Sequence, residues 1–132
     1  MKRYLTCGMV LMALLLAGNA FGDGNSLLAE CTSAIALVEK LNTRALTIDN
    51  FKNENFLGAG SCLGMMQGMK DMNKPYEVLL NKKALFCSPE SGVSNDQAAR
   101  IVVKYLREHP EKLHEKESLL AIEAFREAFP CK

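Results

Sequence analysis

Four cysteines lie far apart along the chain beyond its first 22 residues, and they constrain the fold more than any other feature. They are Cys31, Cys62, Cys87 and Cys131. An even number of cysteines in a small exported chain is typical of disulfide bonds, because oxidising compartments let thiols pair. Structural zinc sites usually have closely spaced cysteine pairs, and a cysteine nucleophile needs a nearby base, for which only His109 and His114 are available. We therefore expect disulfide bonds and keep a metal site and a catalytic cysteine as the alternatives.

The first 22 residues have the pattern of a secretory signal peptide. They begin with Lys2 and Arg3, continue as an apolar stretch over residues 8–17, and end in small residues around Gly22. The apolar stretch is shorter than the ~20 residues that a membrane-spanning helix needs, although a retained membrane anchor is the competing interpretation. We expect cleavage after residue 22, which also removes Cys7, and a mature periplasmic domain over residues 23–132 that is not bound to the membrane.

The mature chain has no charge excess that would indicate a nucleic acid or an anionic membrane as its partner. Its length of about 110 residues fits a single domain. Loss of Lys2 and Arg3 from the 16 basic residues leaves 14 against 15 acidic ones. Because both signs are scattered along the chain, any partner has to be recognised by shape and by a few placed charges.

Apolar residues recur at three-and-four spacing over four stretches, which predicts four main helices. The stretches span 25–42, 49–73, from 94 to a break at 109–111, and 116–129. Asn25 or Ser26 can cap the first helix, and Pro75 is expected to end the second. Ser94 begins a capping box in front of the third helix, which outweighs the alternative of a strand at the β-branched run 101–103. Since the connections are short, we predict an all-α, four-to-five-helix bundle of antiparallel neighbours, braced by disulfides.

Three glycines lie at strict four-residue spacing in the second predicted helix, at positions 60, 64 and 68. Each weakens a helix by ~1 kcal/mol relative to alanine, so three on one stripe need a compensating contact. Close approach by another helix backbone is the simplest such contact. Gln67, Lys70 and Asp71 exclude the membrane dimer that the stripe would suggest in lipid.

Four cysteines allow three connectivities, and their spacing alone does not choose among them. If the third and fourth helices form a hairpin, the loop that contains Cys87 lies close to Cys131. If the first two helices are antiparallel, Cys31 and Cys62 lie at comparable heights along them. We therefore favour Cys31–Cys62 and Cys87–Cys131, and each bond should stabilise the fold by ~2–4 kcal/mol through the unfolded state.

Four sequence blocks occur in a specific order over most of the mature chain from residue 62 onward. They are CLGMMQGMKD at 62–71, FCSPE at 86–90, VVKYLREHPEKLH at 102–114 and AFREAFPC at 124–131. Each block alone is weak, but together they resemble the Rap/Tai family, the immunity proteins of type VI secretion amidase effectors.

The resemblance implies a small periplasmic, helical, disulfide-bonded protein that commonly dimerises. Family members bind a peptidoglycan amidase delivered by a neighbouring or sister cell and block its catalytic groove with a protruding segment. These amidases cut a peptide bond of the cell-wall stem with a cysteine–histidine pair. We therefore predict an immunity protein that inhibits such an amidase, forms a homodimer and is not an enzyme. The alternative is a small periplasmic stress chaperone or a structural protein without a toxin partner.

One polar loop is the first candidate for contact with the partner. It comprises Ser88, Pro89, Glu90, Ser91, Gly92 and Val93. Cys87 should hold one end and the capped helix at Ser94 the other, so that little entropy is lost when the loop enters a cleft. A plain connection is the alternative interpretation. The segment Glu108–Glu117 is the second candidate, although its charges would also suit a solvated turn.

We expect neither a metal nor a cofactor. His109 and His114 are five residues apart and do not share a helix face, so they are poor ligands for one ion. Four methionines at 65, 66, 69 and 72 could suggest copper(I), but adaptable packing in the core or at a dimer contact is the better interpretation.

Overall fold

Four α-helices and one short 3₁₀ helix form the part of the protein that the computed structural model describes, which comprises residues 22–43, 52 and 54–131. The α-helices are α1 (Gly24–Asn42), α2 (Phe56–Leu80), α3 (Asn95–Glu108) and α4 (Glu117–Ala128), and the 3₁₀ helix spans Pro110–Lys112. This architecture confirms the predicted all-α bundle. Apart from Gly22, the predicted signal peptide lies outside the described residues.

Helix α1 contacts each of the other three α-helices. An ion pair joins Lys40, near the end of α1, to Glu54, just before α2. A disulfide joins Cys31 to Cys62, and both residues lie farther from this junction than the ion pair. Since the partner of the earlier residue on α1 comes later in the chain, α1 and α2 are antiparallel, as the short connections predicted.

The apolar faces of the helices meet in one core. Its largest fully buried side chains are those of Phe86, Phe125, Leu27, Met66, Leu106, Leu120, Val102, Cys31 and Cys62. Ala34, Ala98 and Ala121 are also completely buried, and their small side chains let the helix backbones approach one another. The core therefore contains one whole disulfide in addition to its aliphatic and aromatic side chains.

Both predicted disulfides are present, with Cα–Cα distances of 5.1 Å for Cys31–Cys62 and 5.0 Å for Cys87–Cys131. The first links α1 to α2 and is completely buried. The second links the loop after α2 to the chain beyond α4, and both of its cysteines are exposed.

Of the two predicted helix caps, one is confirmed and one is wrong. Ser94 caps α3 as predicted, since its hydroxyl accepts a hydrogen bond from the Gln97 N–H at 3.1 Å. The predicted cap of α1 is wrong, because Asp23 caps the helix by accepting from the Ser26 N–H at 2.9 Å. Helix α2 starts later than predicted, at the Asn55 cap. Residues 49–51 of its predicted start lie outside the described residues.

The prediction that Pro75 ends the second helix is wrong, because α2 continues to Leu80. Proline lacks the backbone donor and crowds the preceding turn, at a cost of ~3 kcal/mol or more in a helix interior. Just before the proline, however, Asn73 makes two hydrogen bonds to the chain that returns from α2. These tertiary bonds offset part of the local penalty. The helix is capped after Leu80 by Asn81, which adopts a left-handed conformation with φ 48°.

Candidate functional site

The six residues of the predicted contact loop lie together between α2 and α3. Ser88, Pro89, Glu90, Ser91 and Gly92 are exposed, and Val93 is half-buried. The N–H of Gly92 donates to the carbonyl oxygen of Pro89 at 2.9 Å, which closes a tight turn. Gly92 has φ 77°, a left-handed conformation that glycine adopts without steric cost. We call residues 88–93 the contact loop.

The first end of the contact loop is fixed to the end of α4 by covalent, polar and apolar contacts. Cys87 forms the disulfide with Cys131, and its N–H donates to the carbonyl oxygen of Phe129 at 2.9 Å. The neighbouring Phe86 is only 2% exposed, and its ring centroid lies 4.9 Å from that of Phe125 on α4. The chain entering the loop therefore has little freedom to move away from α4.

Asn73 on α2 holds the same entry from the other side. Its side-chain nitrogen donates to the carbonyl oxygen of Phe86 at 2.7 Å, and its side-chain oxygen accepts from the N–H of Leu85 at 2.9 Å. One amide thus satisfies a donor and an acceptor of a segment that belongs to no helix. The sequence contained no local signal for this role, because Asn73 lies next to the expected helix end.

Lys70, one turn earlier on α2, holds the exit of the contact loop. Its ammonium group donates to the carbonyl oxygen of Val93 at 2.7 Å and to the side-chain oxygen of Asn95 at 2.6 Å. With the Ser94 cap, these bonds fix the loop against the start of α3. The sequence gave no local signal for this role either, because Lys70 lies 23 residues before Val93.

The contact loop is consequently an exposed turn with restrained ends. Glu90 is its only charged residue, and Ser88 and Ser91 supply hydroxyl groups that can donate or accept hydrogen bonds. A restrained loop loses less conformational entropy when it binds than a flexible one does. This geometry suits insertion into a groove of another protein.

The second candidate segment, Glu108–Glu117, is pinned to the beginning of α1. The Gly24 N–H donates to the carbonyl oxygen of Glu115, and the side chain of Asn25 donates to that of Leu113, each at 3.1 Å. A smaller share of its residues is therefore exposed than in the contact loop.

A polar cluster ties α3 to α4 beside that segment. The hydroxyl of Tyr105 donates to Glu123 at 2.7 Å, and the ammonium group of Lys112 donates to both, at 2.9 Å to Tyr105 and 2.8 Å to Glu123. These hydrogen bonds, that of Lys112 first, lower the pKa of Glu123, and the Glu123 bond raises the pKa of Lys112. Burial raises the pKa of Tyr105. The three side chains form hydrogen bonds with one another, so we interpret the cluster as a contact that stabilises the packing of α3 against α4.

The two histidines have different surroundings. The ring of His109 stacks on that of Tyr105 at a centroid distance of 4.2 Å, and its Nδ1 donates to the Tyr105 carbonyl oxygen at 2.9 Å. His114 is exposed. Among residues 22–43 and 54–131, no group of three or more histidine, cysteine or acidic side chains is placed to hold a metal ion.

The methionines of α2 divide between the core and a surface groove. Met66 is completely buried. Others line an apolar groove of about 410 Å³, which we call the methionine groove and which comprises Met65, Gly68, Met69, Met72, Leu85, Phe86, Ser118 and Ile122. Ser118 is its only polar residue, so the groove offers a partner almost entirely apolar surface.

A larger groove of about 560 Å³ lies between α1 and α3, and most of the charges that line it are paired. Arg100 binds Glu39 and Asp96, each at 3.0 Å, and these hydrogen bonds, that of Asp96 first, raise its pKa. Lys104 is paired with Glu108 at 3.5 Å. Most of the charged side chains in this groove are therefore already engaged within the protein.

No helix in the described part of the chain is long and apolar enough to cross a membrane. In comparisons with known proteins, a family described as Rap1a immunity proteins matches residues 23–131. No curated protein and no solved structure gives a significant match.

Proposed function

The chain belongs to the Rap1a immunity protein family, and on this premise we propose that it binds a type VI secretion peptidoglycan amidase and inhibits it by covering the active-site cleft. Family membership implies an immunity protein that binds a cognate secreted effector and has a non-enzymatic role. The observation that carries the proposal is the match over residues 23–131, which spans nearly all of the described chain. The amidase as target comes from the resemblance of the four sequence blocks.

We place the contact with the amidase at the contact loop. Its exposed residues 88–92 project between two fixed ends, and it is the segment of the described chain that combines exposure with covalent restraint. A catalytic groove that accepts a peptide stem would accept a narrow loop of this kind. Bonds from Lys70 and Asn73 keep the loop in one conformation before binding.

We place the protein in the periplasm, where the cell-wall substrate of an amidase is found. The family match begins at residue 23, next to the predicted cleavage site, and two disulfides suit an oxidising compartment. Export predicts that the protein purified from the periplasm starts at Asp23, which intact-mass measurement checks directly.

We further propose that the protein acts as a homodimer. The resemblance implies dimerisation, and the exposed apolar side chains of α2 support it, among them Leu57 at 87% and Leu79 at 79% exposure. Large exposed apolar surfaces on small proteins commonly mark interaction sites.

The test mixes the mature protein with the amidase encoded beside its gene and measures both binding and cleavage of purified peptidoglycan. Glu90→Lys reverses the one charge of the contact loop and should weaken inhibition about tenfold or more if this loop enters the cleft. Glu111→Lys makes the same charge change at another exposed position, in the second candidate segment, and should leave inhibition near that of the unaltered protein.

The two variants separate the possible outcomes. Absence of binding to the amidase, or binding without loss of cleavage, would overturn the proposed function. Sensitivity to Glu111→Lys alone would move the contact to the segment Glu108–Glu117. Suppression of aggregation of unrelated proteins, without effect on the amidase, would indicate the chaperone instead.

A further inference from the structure

Two surface features of the described chain lie outside the candidate site, the glycine stripe of α2 and a cleft beside the surface disulfide. A Cβ atom built at Gly60, Gly64 or Gly68 would meet nothing within 4 Å, so the compensating helix that the stripe predicted is not found within the described chain. The stripe has no side chain that could bind or react with a ligand. The cleft, by contrast, contains both charge and sulfur.

The cleft gives access to one sulfur of the exposed disulfide. Cys87 and Cys131 are both exposed, whereas Cys31 and Cys62 are completely buried. The Sγ atom of Cys131 lies 3.9 Å from the carbonyl oxygen of Ala84, which also lines the cleft. We call it the cationic cleft; it has a volume of about 430 Å³ and is lined by Lys83, Ala84, Leu85, Arg126, Pro130 and Cys131.

Two basic side chains give the cationic cleft its charge. Lys83 lies in the chain that follows α2, Arg126 lies in the last turn of α4, and both are exposed. Neither forms an ion pair with another residue of the described chain. In the groove between α1 and α3, by contrast, Arg100 and Lys104 are both paired. The cationic cleft therefore attracts anions more strongly than that groove does.

We propose that the cationic cleft is a site of thiol–disulfide exchange, at which a small thiol that carries carboxylates attacks Cys131 and releases the contact loop from α4. The attacking thiolate forms a bond to the Sγ atom of Cys131. The Cys87–Cys131 bond breaks, and its electron pair leaves on the Sγ atom of Cys87 as a thiolate. The small thiol is itself the reductant, and the product is a mixed disulfide at Cys131.

The exchange is reversible without a further reactant. The freed Cys87 thiolate stays near Cys131 because the Cys87 N–H also donates to the carbonyl oxygen of Phe129 at 2.9 Å. It can attack the mixed disulfide, expel the small thiol and restore the original bond. The ratio of free thiol to protein therefore sets how much of the protein carries the adduct.

The charge of the cleft selects the class of thiol. The thiolate is the reactive form, so every attacking molecule carries a negative charge at its sulfur. Carboxylates on the same molecule add charges that Lys83 and Arg126 attract, and salt weakens this attraction. A volume of about 430 Å³ lies within the ~300–1,000 Å³ of pockets that hold small ligands. A thiol with an ammonium group in place of carboxylates fits the same space without the attraction.

Loss of the disulfide would loosen the contact loop and leave the bundle folded. Phe86 stays in the core against Phe125, so the helices keep their packing. The loop entry, however, loses its covalent bond to the chain beyond α4. A looser loop loses more conformational entropy on entering a cleft, so inhibition of the amidase should weaken. This last consequence rests on the proposed function, whereas the exchange at Cys131 does not.

Mass spectrometry of the oxidised mature protein tests the exchange. The probes are glutathione, a tripeptide thiol that carries carboxylates, and cysteamine, which carries an ammonium group, at equal thiolate concentration. Alkylation caps the freed thiol and stops the reaction. We expect glutathione on Cys131 and the alkyl group on Cys87, formed about threefold faster than the cysteamine adduct at low ionic strength. Attachment at Cys87, or a rate no faster than that of cysteamine, would overturn the proposal.

Removal of charge from the cleft provides the matched comparison. Lys83→Gln with Arg126→Gln should abolish the preference for glutathione. Lys82→Gln with Arg107→Gln removes the same charge at exposed positions outside the cleft and should keep the preference. Loss of the preference in both double variants would show a response to net charge alone, and this result would refute the cleft as the site.

Two further measurements separate the exchange from the proposed function. Hydrogen exchange in the contact loop should be faster in the glutathione adduct than in the oxidised protein, and unchanged rates would contradict release of the loop. The adduct should also inhibit the amidase about threefold or more weakly than the oxidised protein. Equal inhibition by both forms would overturn the regulation. An oxidised protein without inhibitory activity would refute the proposed function, while an adduct at Cys131 would still support the exchange.

Discussion

The two disulfides close loops of similar length but lie in very different surroundings. Cys31–Cys62 spans 31 residues inside the core, and Cys87–Cys131 spans 44 residues at the surface. Chain entropy alone assigns each bond nearly the same stabilisation, ~4 kcal/mol. Any difference between the two bonds in their contribution to the free energy of unfolding must therefore come from the side chains that surround the sulfur atoms. The buried bond contributes to core packing, whereas the exposed bond holds the contact loop against α4.

The largest effect should follow removal of the buried bond. We expect Cys31→Ala with Cys62→Ala to lower the free energy of unfolding by more than ~4 kcal/mol, because cavities add to the lost chain constraint. Urea unfolding followed by circular dichroism measures this loss. A loss no larger than that for the exposed bond would mean that burial contributes nothing.

Removal of the exposed disulfide should lower the free energy of unfolding by less, and its structural effect should be confined to the contact loop. Cys87→Ser with Cys131→Ser should lower the free energy of unfolding by ~2–4 kcal/mol and keep the helix content, because no core side chain is removed. The expected functional consequence is weaker inhibition of the amidase through a looser contact loop. Circular dichroism and the cleavage assay measure the two effects.

Mild reduction of the unaltered protein provides the control for this comparison. A thiol reagent reaches the exposed Cys87–Cys131 bond directly but reaches Cys31–Cys62 only after the core opens. Mass spectrometry of alkylated peptides should find Cys87 and Cys131 labelled first. Simultaneous labelling of all four cysteines would contradict the division into a core bond and a surface bond.

A smaller effect should come from the non-covalent restraint on the same loop. Asn73→Leu removes both hydrogen bonds to the loop entry and should cost ~1–3 kcal/mol, since a partly buried donor and acceptor lose their partner. Faster hydrogen exchange at the Leu85 amide would reveal the local opening. Lys74→Ala, at the neighbouring exposed position, should leave that exchange rate unchanged.

The smallest effects should come from two carboxylates of α4, Glu117 and Glu123. Hydrogen bonds from Lys112 and Tyr105 lower the pKa of Glu123 from its ordinary value of 4.5, so its ionised form stabilises the fold. Burial, together with Glu30 and Asp23, raises the pKa of Glu117, so its ionised form destabilises the fold. Their neutral amide variants should therefore act in opposite directions at neutral pH.

Thermal unfolding as a function of pH checks the signs. Glu123→Gln should lower the melting temperature at neutral pH by a few degrees at most, and the loss should vanish as pH falls through the lowered pKa, where the native carboxyl is protonated too. Glu117→Gln should raise the melting temperature at neutral pH, with the gain vanishing below about pH 4.5. Shifts of the same sign would refute this assignment.

Several features of the fold were predictable because they depend on local spacing. The apolar periodicity of α1, α3 and α4 marks a single buried stripe on each helix, and the Ser94 cap is a contact between residues three apart. Both disulfides followed once successive helices were taken as antiparallel. The contact loop was also predictable as a segment between a cysteine and a cap, although its role in binding stays a prediction.

Other features depend on residues distant in sequence, and local patterns could not indicate them. Helix α2 continues past Pro75 in the presence of bonds between Asn73 and a segment more than ten residues later. Lys70 reaches the exit of the contact loop across a sequence separation of 23 residues. Asparagine and lysine are both common on the surface of a helix, so the residue type alone does not indicate a structural role. The role becomes visible only when the distant hydrogen-bond partner is known.

By itself the sequence determined the helical class, the cysteine pairing and the family, because these follow from apolar spacing, connection length and the order of motifs. Only the tertiary structure decided where α2 ends, what restrains the contact loop and which way the glycine stripe faces. The physical reason is that hydrogen bonds and close packing between distant segments can offset a local preference, and such contacts exist only after the helices have come together.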